Sequence, residues 1–508
     1  MLSVSQSEPF ASCPAPFNLA AYVLGKADAQ QHKIALEVLG SAETEEWSYG
    51  NLKAAVLGTG TGLLQAGLTP GDLLLMRLGN SVDFPIAYLG AISVGIIPVP
   101  TSSQLTEAEV APMLDELSPK AVLRANGVAC PDSARLVIDV PRLREMRDLP
   151  PAAFNMGDPN RLGYIVYTSG TAGKPRAVMH AHRAIWARRL MMKDWYGLTK
   201  NDRLMHAGAF NWTYTLGTGL MDPWTMGATA LIAEDGTDLE ELPLLLERHG
   251  ATIFAAAPGV YRKLLSSKSQ LTLPELRHGL AAGEKLSENL RRCWQDATGT
   301  QVHEAFGMSE CSTFISASPD APAVPESLGR AQAGRQLCII GKDGPVDRGQ
   351  LGTIAVHRDD PGLMLGYLNA EAETQARFQG EWFLSGDQGR MDADGNIFFL
   401  GRSDDMMNAG GYRVSPLEVE AALSKFPGIG QVAVTDIEVK ADARVIMAFY
   451  TAQSPISEEA LAAFTYENLA GYKRPRRYIR LDTLPTGPNG KLLRRALRPI
   501  YEALNGQT

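Results

Sequence analysis

Several functional classes are excluded by what this chain lacks. Its five cysteines, at 13, 130, 293, 311 and 338, form no CxxC pair. They read as free thiols in a reducing compartment. The eight histidines make no HxxxH or HExxH pattern, so a protein-bound zinc is not expected. No apolar run approaches the roughly 20 residues that span a bilayer. The longest candidate, residues 84–100, is broken by Gly and Pro. The first sixteen residues lack a basic start followed by an apolar run, so no secretory signal is expected, and cytoplasm is the expected location. Basic charge is not in excess. The 48 Lys and Arg against 56 Asp and Glu give a net charge of −8, mixed along the length. That argues against a nucleic-acid partner. Internal repeats and low-complexity tracts are absent too.

What is present is a long, ordinary globular chain. It has 508 residues, 45% hydrophobic and 20% charged, enough for several domains and a large core. Short β-rich apolar runs alternate with amphipathic stretches. Residues 73–78, 96–100, 229–233 and 252–258 read as strands, and 84–95 and 239–250 read as helices. The expected fold is therefore α/β, with parallel sheets flanked by helices. Residues 336–358 read as strand, turn, strand and predict a β-rich subdomain. A boundary is expected at 403–405. It separates a large domain, 1–402, from a small C-terminal α/β lid domain, 406–508, whose first helix opens at Ser415-Pro416.

The segment 168-TSGTAGKP-175 follows a plausible strand at 163–167. Thr168, Ser169 and Thr171 supply hydroxyls, Gly170 and Gly173 let backbone N–H groups approach an anion, and Lys174 supplies a point charge. That set suits a triphosphate. It is not the P-loop of NTPases, because Pro175 follows the lysine. On composition alone, a bland Gly/Ser turn fits equally well.

The string itself resembles the phosphate-loop signature of adenylate-forming enzymes: acyl-CoA synthetases, peptide-synthetase adenylation domains and luciferases. Four more stretches match in order. In 304-EAFGMSE-310, the resemblance implies that Ala305, Phe306 and Gly307 line the adenine site. It places Ser309 near the α-phosphate and makes Glu310 the Mg2+ ligand. Magnesium prefers hard oxygens and substrate phosphates. Read alone, this string would be a helix start capped by Ser309. Upstream, Gly283 and Glu284 resemble the adenine-edge loop. In 382-WFLSGD-387, Asp387 would accept the ribose hydroxyls. In 401–420, Arg402 would contact ribose and phosphate, and Asp404 would be the hinge. Gly410 and Gly411 would admit the pantetheine arm of CoA. Asn408 stands where many relatives have Lys. In 486-TGPNGK-491, Lys491 resembles the catalytic lysine, whose cation would stabilise charge developing at the α-phosphate. Lys473 and Arg477, in a basic cluster, would seat CoA phosphates; a solvated face is the competing reading.

The resemblance implies an acid–CoA ligase using ATP, Mg2+ and CoA, with a small carboxylic acid as partner and a homodimer as a possible assembly. By the same register the acyl pocket is lined by Phe210, Trp212, Tyr214, Ala282, Gly307 and Phe314. The three aromatics would shorten the pocket or stack on a flat substrate. No Lys or Arg occurs in the lining stretches, so a second carboxylate on the substrate is not expected. The register at 214–228 is similar to benzoate-type ligases and, through Trp212, to short- and medium-chain synthetases. The alternative is a stand-alone adenylation enzyme that loads a carrier-protein thiol.

Overall fold

The computed structural model describes every residue except 6–9, 41–43, 133–134, 169–175, 235, 268–269, 404, 410–411, 441–442, 488–490 and 506–508. Its centre is a nine-stranded sheet. From one edge run Arg330–Ala331, Ser312–Ser316, Gln301–Met308, His278–Ala282, Ile253–Ala256, Arg203–His206, Thr229–Ala233, Ile34–Leu39 and Thr44–Ser48. The six strands from Gln301–Met308 to Ile34–Leu39 are parallel. Sequences such as 253-IFAA-256 and 278-HGLAA-282 are buried at every position, as expected of strands covered on both faces.

A second parallel sheet orders Ile97–Pro100, Leu73–Arg77, Ala121–Arg124 and Leu136–Asp139. Beside it runs the helix Asp83–Ser93, apolar all round and buried along its whole length. The expected β-rich subdomain is a six-stranded antiparallel sheet. It contains Leu337–Gly341, Gly352–His357 and Trp382–Met391, and the strand Ile397–Arg402 pairs with the last of these.

The C-terminal region builds its own sheet from Gln431–Lys440, Ala443–Thr451 and Arg477–Arg480. Two hydrophobic clusters there draw only on residues from 407 onward. The helix Pro416–Leu423 starts as its sequence predicts. Pro416 occupies the first turn, and the Ser415 hydroxyl accepts from Glu418 N–H at 3.4 Å. No helix among the described residues is long and apolar enough to cross a membrane.

One local expectation is corrected. The FGMSE string does not start a helix. It ends the central-sheet strand Gln301–Met308 and turns back into the antiparallel strand Ser312–Ser316. The run from Val302 to Ala305 is buried inside the sheet, so tertiary packing overrides the capping tendency of Ser309.

Candidate active site

The site lies where the parallel strands of the central sheet deliver their carboxyl ends, the usual crevice in α/β sheets. The tight turn after Met308 carries Ser309 and Glu310. It closes through Ser312, whose φ of 62° is left-handed. The Ser309 carbonyl faces His180 Nε2 at 2.8 Å. The Glu310 carboxylate accepts a hydrogen bond from Tyr367 at 2.7 Å, and its carbonyl accepts from Met364 N–H at 2.7 Å. Burial, and then Glu310 beside it, push the Tyr367 phenol up, so it stays a donor. One carboxylate oxygen is thus held while the other is left for a ligand. Among the described residues no group of three or more His, Cys, Asp or Glu could hold a metal ion. A divalent cation here would depend mainly on phosphate and water oxygens, which suits magnesium.

Next along the sheet, Gly283 and Glu284 follow the strand His278–Ala282. Gly283 has φ +98°, and a Cβ there would lie 2.6 Å from the Trp212 ring, so the indole lies against bare backbone. The Glu284 carboxylate accepts from Gly259 N–H at 3.1 Å. Burial raises its pKa, and the cations of Arg262 and Lys491 pull it back. Lys491, from the C-terminal region, therefore stands within electrostatic reach of the adenine-edge loop. The Lys491 side chain is exposed. Its backbone carbonyl accepts from Gly487 N–H at 2.8 Å, and an isolated bridge joins Thr486 to Leu492.

A third wall comes from the antiparallel sheet. Phe306 packs between Phe314, at 5.5 Å, and Phe399, at 5.4 Å. Phe399 lies on the strand that ends in Arg402, and Arg402 is paired in register with the buried Asp387. Their charged groups are 3.7 Å apart.

Behind Ser309 is a cavity of about 20 Å³, lined by Tyr88, Tyr164, His180, Arg188, Thr213 and Ser312 among others. Arg188 is buried and pairs with the fully buried Asp222 at 2.5 Å. It also donates to the Ser312 hydroxyl at 2.5 Å and to Tyr196 at 3.1 Å. Gly217 makes room for it, because a Cβ there would be 2.4 Å from the guanidinium carbon.

A family model described as AMP-binding enzyme matches residues 25–368, and one described as AMP-binding enzyme C-terminal domain matches 418–491. The chain belongs to the AMP-binding enzyme family. It is similar to the 3-hydroxybenzoate–CoA/4-hydroxybenzoate–CoA ligase of Thauera aromatica, at 27% identity over 90% of this chain and 92% of the relative. It is also similar to the 3-hydroxybenzoate–CoA ligase of Aromatoleum sp. (strain CIB), at 28% identity over 96% and 97%. Among solved structures, it is similar to the anthranilate CoA ligase AuaEII in complex with anthranoyl-AMP. The TM-score is 0.88 and the identity 25%, over 96% of this chain and 99% of that one.

Within this AMP-binding fold, Ala305, Phe306, Gly307, Ser309, Glu310, Gly283 and Glu284 lie at the carboxyl ends of two neighbouring central-sheet strands, Asp387 and Arg402 pair on the antiparallel sheet, and Lys491 comes from the C-terminal region. The phosphate-loop residues Ser169, Gly170, Thr171, Gly173 and Lys174 lie outside the described residues, as do Asp404, Gly410 and Gly411. Thr168 ends the strand that leads into that loop. The three pocket aromatics are not brought together. Trp212 and Tyr214 meet edge-on at 5.1 Å, but Phe210 is buried against Phe84, in a different core cluster. Phe314 is fully buried, and Ala282 is 4% exposed. Lys473 is ion-paired with Glu418, and Arg477 with Glu458 at 3.3 Å. The sequence reading missed Arg188, His180, Tyr88 and Asp222. The lining stretches contain no Lys or Arg, as read from the sequence, but Arg188 reaches Ser312 from outside them. It arrives from a segment far from the lining stretches, and Asp222 neutralises it. The spacing of Arg188 and Asp222 gives no local signal; the doublet of histidines at 180 and 182 was the one available hint.

Proposed function

We propose that this chain is an AMP-forming acid–CoA ligase acting on an aryl or short-to-medium-chain monocarboxylate. The carboxylate attacks the α-phosphorus of ATP, giving an acyl-adenylate and pyrophosphate. The CoA thiol then takes the acyl group and AMP leaves. The observation that supports the reading is Lys491 within electrostatic reach of Glu284, which follows the strand paired with the one that carries Ser309 and Glu310. That is where a cation is needed while charge develops on the α-phosphate.

In this reading Phe306 and the 283–284 backbone hold adenine, Asp387 takes the ribose hydroxyls with Arg402 beside it, and Ser309 meets the α-phosphate. Residues 168–174 grip the outer phosphates. Glu310 would hold a magnesium ion brought in by the nucleotide, which would neutralise phosphate charge. The small domain turns about 403–405 between the two half-reactions, withdrawing Lys491 and presenting 410–411 to the thiol. Similarity to hydroxybenzoate–CoA and anthranilate CoA ligases favours an aryl acid, and Trp212, whose benzo edge lies close against Gly283, supplies an aromatic surface for a planar ring.

The test is acid-dependent pyrophosphate release with CoA across benzoates, phenylpropanoates and C2–C10 fatty acids. AMP and acyl-CoA are expected in equal amounts. AMP release that needs a carrier protein and ignores CoA would replace this reading with carrier loading.

A further inference from the structure

Two residues that line the cavity behind Ser309 each carry a buried polar atom with no hydrogen-bond partner among the described residues: His180 Nδ1 and the Tyr88 hydroxyl. His180 is 2% exposed and Tyr88 fully buried. The imidazole's other nitrogen, Nε2, lies 2.8 Å from the Ser309 carbonyl. A carbonyl can only accept, so the ring proton sits on Nε2 and Nδ1 is a bare acceptor. Burial lowers the pKa of His180 to about 4, which keeps the ring neutral and in that tautomer near pH 7. Tyr164 fixes the imidazole plane by stacking on it at 4.9 Å and 14°. The same Tyr164 ring meets Tyr88 edge-on at 6.0 Å. The residues of the cavity wall thus hold an acceptor and a phenol able to donate, both left unsatisfied by the described residues.

Charge and size narrow what fits. The one cation on the wall, Arg188, is matched by Asp222. A second carboxylate would enter without a counter-charge, and so would an ammonium group. A volume of about 20 Å³ takes one water-sized group and excludes a ring. What remains is a small neutral substituent that donates one hydrogen bond and accepts another. Thr213, Ser309 and Ser312 join the cavity to the stretches read as acyl pocket.

We infer that the acid this chain activates carries one hydroxyl or aryl amino group, which donates to His180 Nδ1 and accepts from Tyr88. The inference rests on the ligase reading above. It makes His180 and Tyr88 specificity determinants, with Tyr164 as the residue that positions the imidazole.

The experiment uses the full chain and matched acids: benzoate, phenylpropanoate and hexanoate, each against its mono-hydroxylated counterparts, and the two aryl acids also against their ring-aminated counterparts, whose aryl amines are neutral near pH 7. The readout is kcat/KM for pyrophosphate release with CoA. At least one substituted acid is expected to exceed its parent by about tenfold or more, because a site built to bond a substrate O–H or N–H rejects the analogue lacking it. Tyr88→Phe removes a single oxygen, and His180→Leu removes the acceptor. Each should shrink that ratio below about threefold. A ratio between paired acids cancels any general loss from disturbing Ser309. Should His180→Leu fail to fold, Tyr88→Phe and the wild-type ratio still decide. The inference is overturned if every wild-type pair is flat or favours the parent, or if the ratio survives the changes. A chain that turns over parent acids without preference sinks this inference alone. A chain silent with all acids sinks the ligase reading and this inference together.

Discussion

Replacing Gly307 with Ala tests whether the turn carrying Ser309 and Glu310 must stay where it is. A Cβ at 307 would lie 2.1 Å from the Ser312 carbonyl oxygen and 2.5 Å from the Thr313 Cα. Both are backbone atoms of the returning strand, so no side chain can rotate away. Real Cβ contacts essentially never fall below 3.0 Å, so the strands must separate by at least 0.9 Å, the difference between 3.0 and 2.1 Å. A displacement of about 1 Å at a catalytic group costs roughly 100-fold in rate, or about 2.7 kcal/mol of transition-state stabilisation. Overpacking of this kind costs about 1–3 kcal/mol of stability, too little to unfold a chain with a core this large. The assay is acid-dependent pyrophosphate release, with thermal unfolding recorded beside it. Gly471→Ala is the control, since the nearest atom to a Cβ there is a flexible arginine end at 4.0 Å. A Gly307→Ala enzyme with wild-type kcat/KM would refute the claim that this hairpin positions the reacting groups.

Other changes have readable outcomes. Lys491→Ala should cut acid-dependent pyrophosphate release by about 10²–10³-fold. It should spare the conversion of supplied acyl-adenylate to acyl-CoA; survival of the first half-reaction would remove Lys491 from its assigned role. Tyr367→Phe strips the hydrogen bond from Glu310, so the half-saturating Mg2+ concentration should rise about tenfold, measured in the same assay. Stability should fall on acidification. Burial lowers His180 and His278 to about 4, and His182, His206 and His303 to about 3. Each has a folded pKa below the unfolded value of 6.5, so the unfolded chain binds the extra proton. Stability is then full above pH 6.5 and is lost as pH drops toward 4, by at most about 1.4 kcal/mol per unit for each group. A urea midpoint that is the same at pH 7 and pH 5 would contradict this.

The legible parts of this chain were those written locally. Alternating apolar runs gave the parallel sheets, the strand–turn–strand at 336–358 gave the antiparallel one, and Ser415-Pro416 gave a helix start that the structure places at the same residues. The nucleotide motifs are short and contiguous, so their residues could be named from the string. The FGMSE turn was misjudged when read in isolation, because its geometry depends on pairing with 312–316. The acyl side was harder for the same reason. Phe210, Trp212 and Tyr214 are neighbours in sequence, yet Phe210 turns to Phe84 while the other two pack on each other. Arg188 and Asp222, His180 and Tyr88 meet only once the chain has folded back across the sheet, and no spacing rule anticipates that.

The cavity behind Ser309 draws its walls from positions between 88 and 362, on separate elements, while each proposed nucleotide contact sits inside its own compact string. The two halves of the active site can therefore diverge at different rates. Single exchanges at 88 or 213 would retune which acid enters while leaving the turn that carries Ser309 and Glu310 in place. A designer seeking a new substrate should begin at those scattered positions and leave the strings intact.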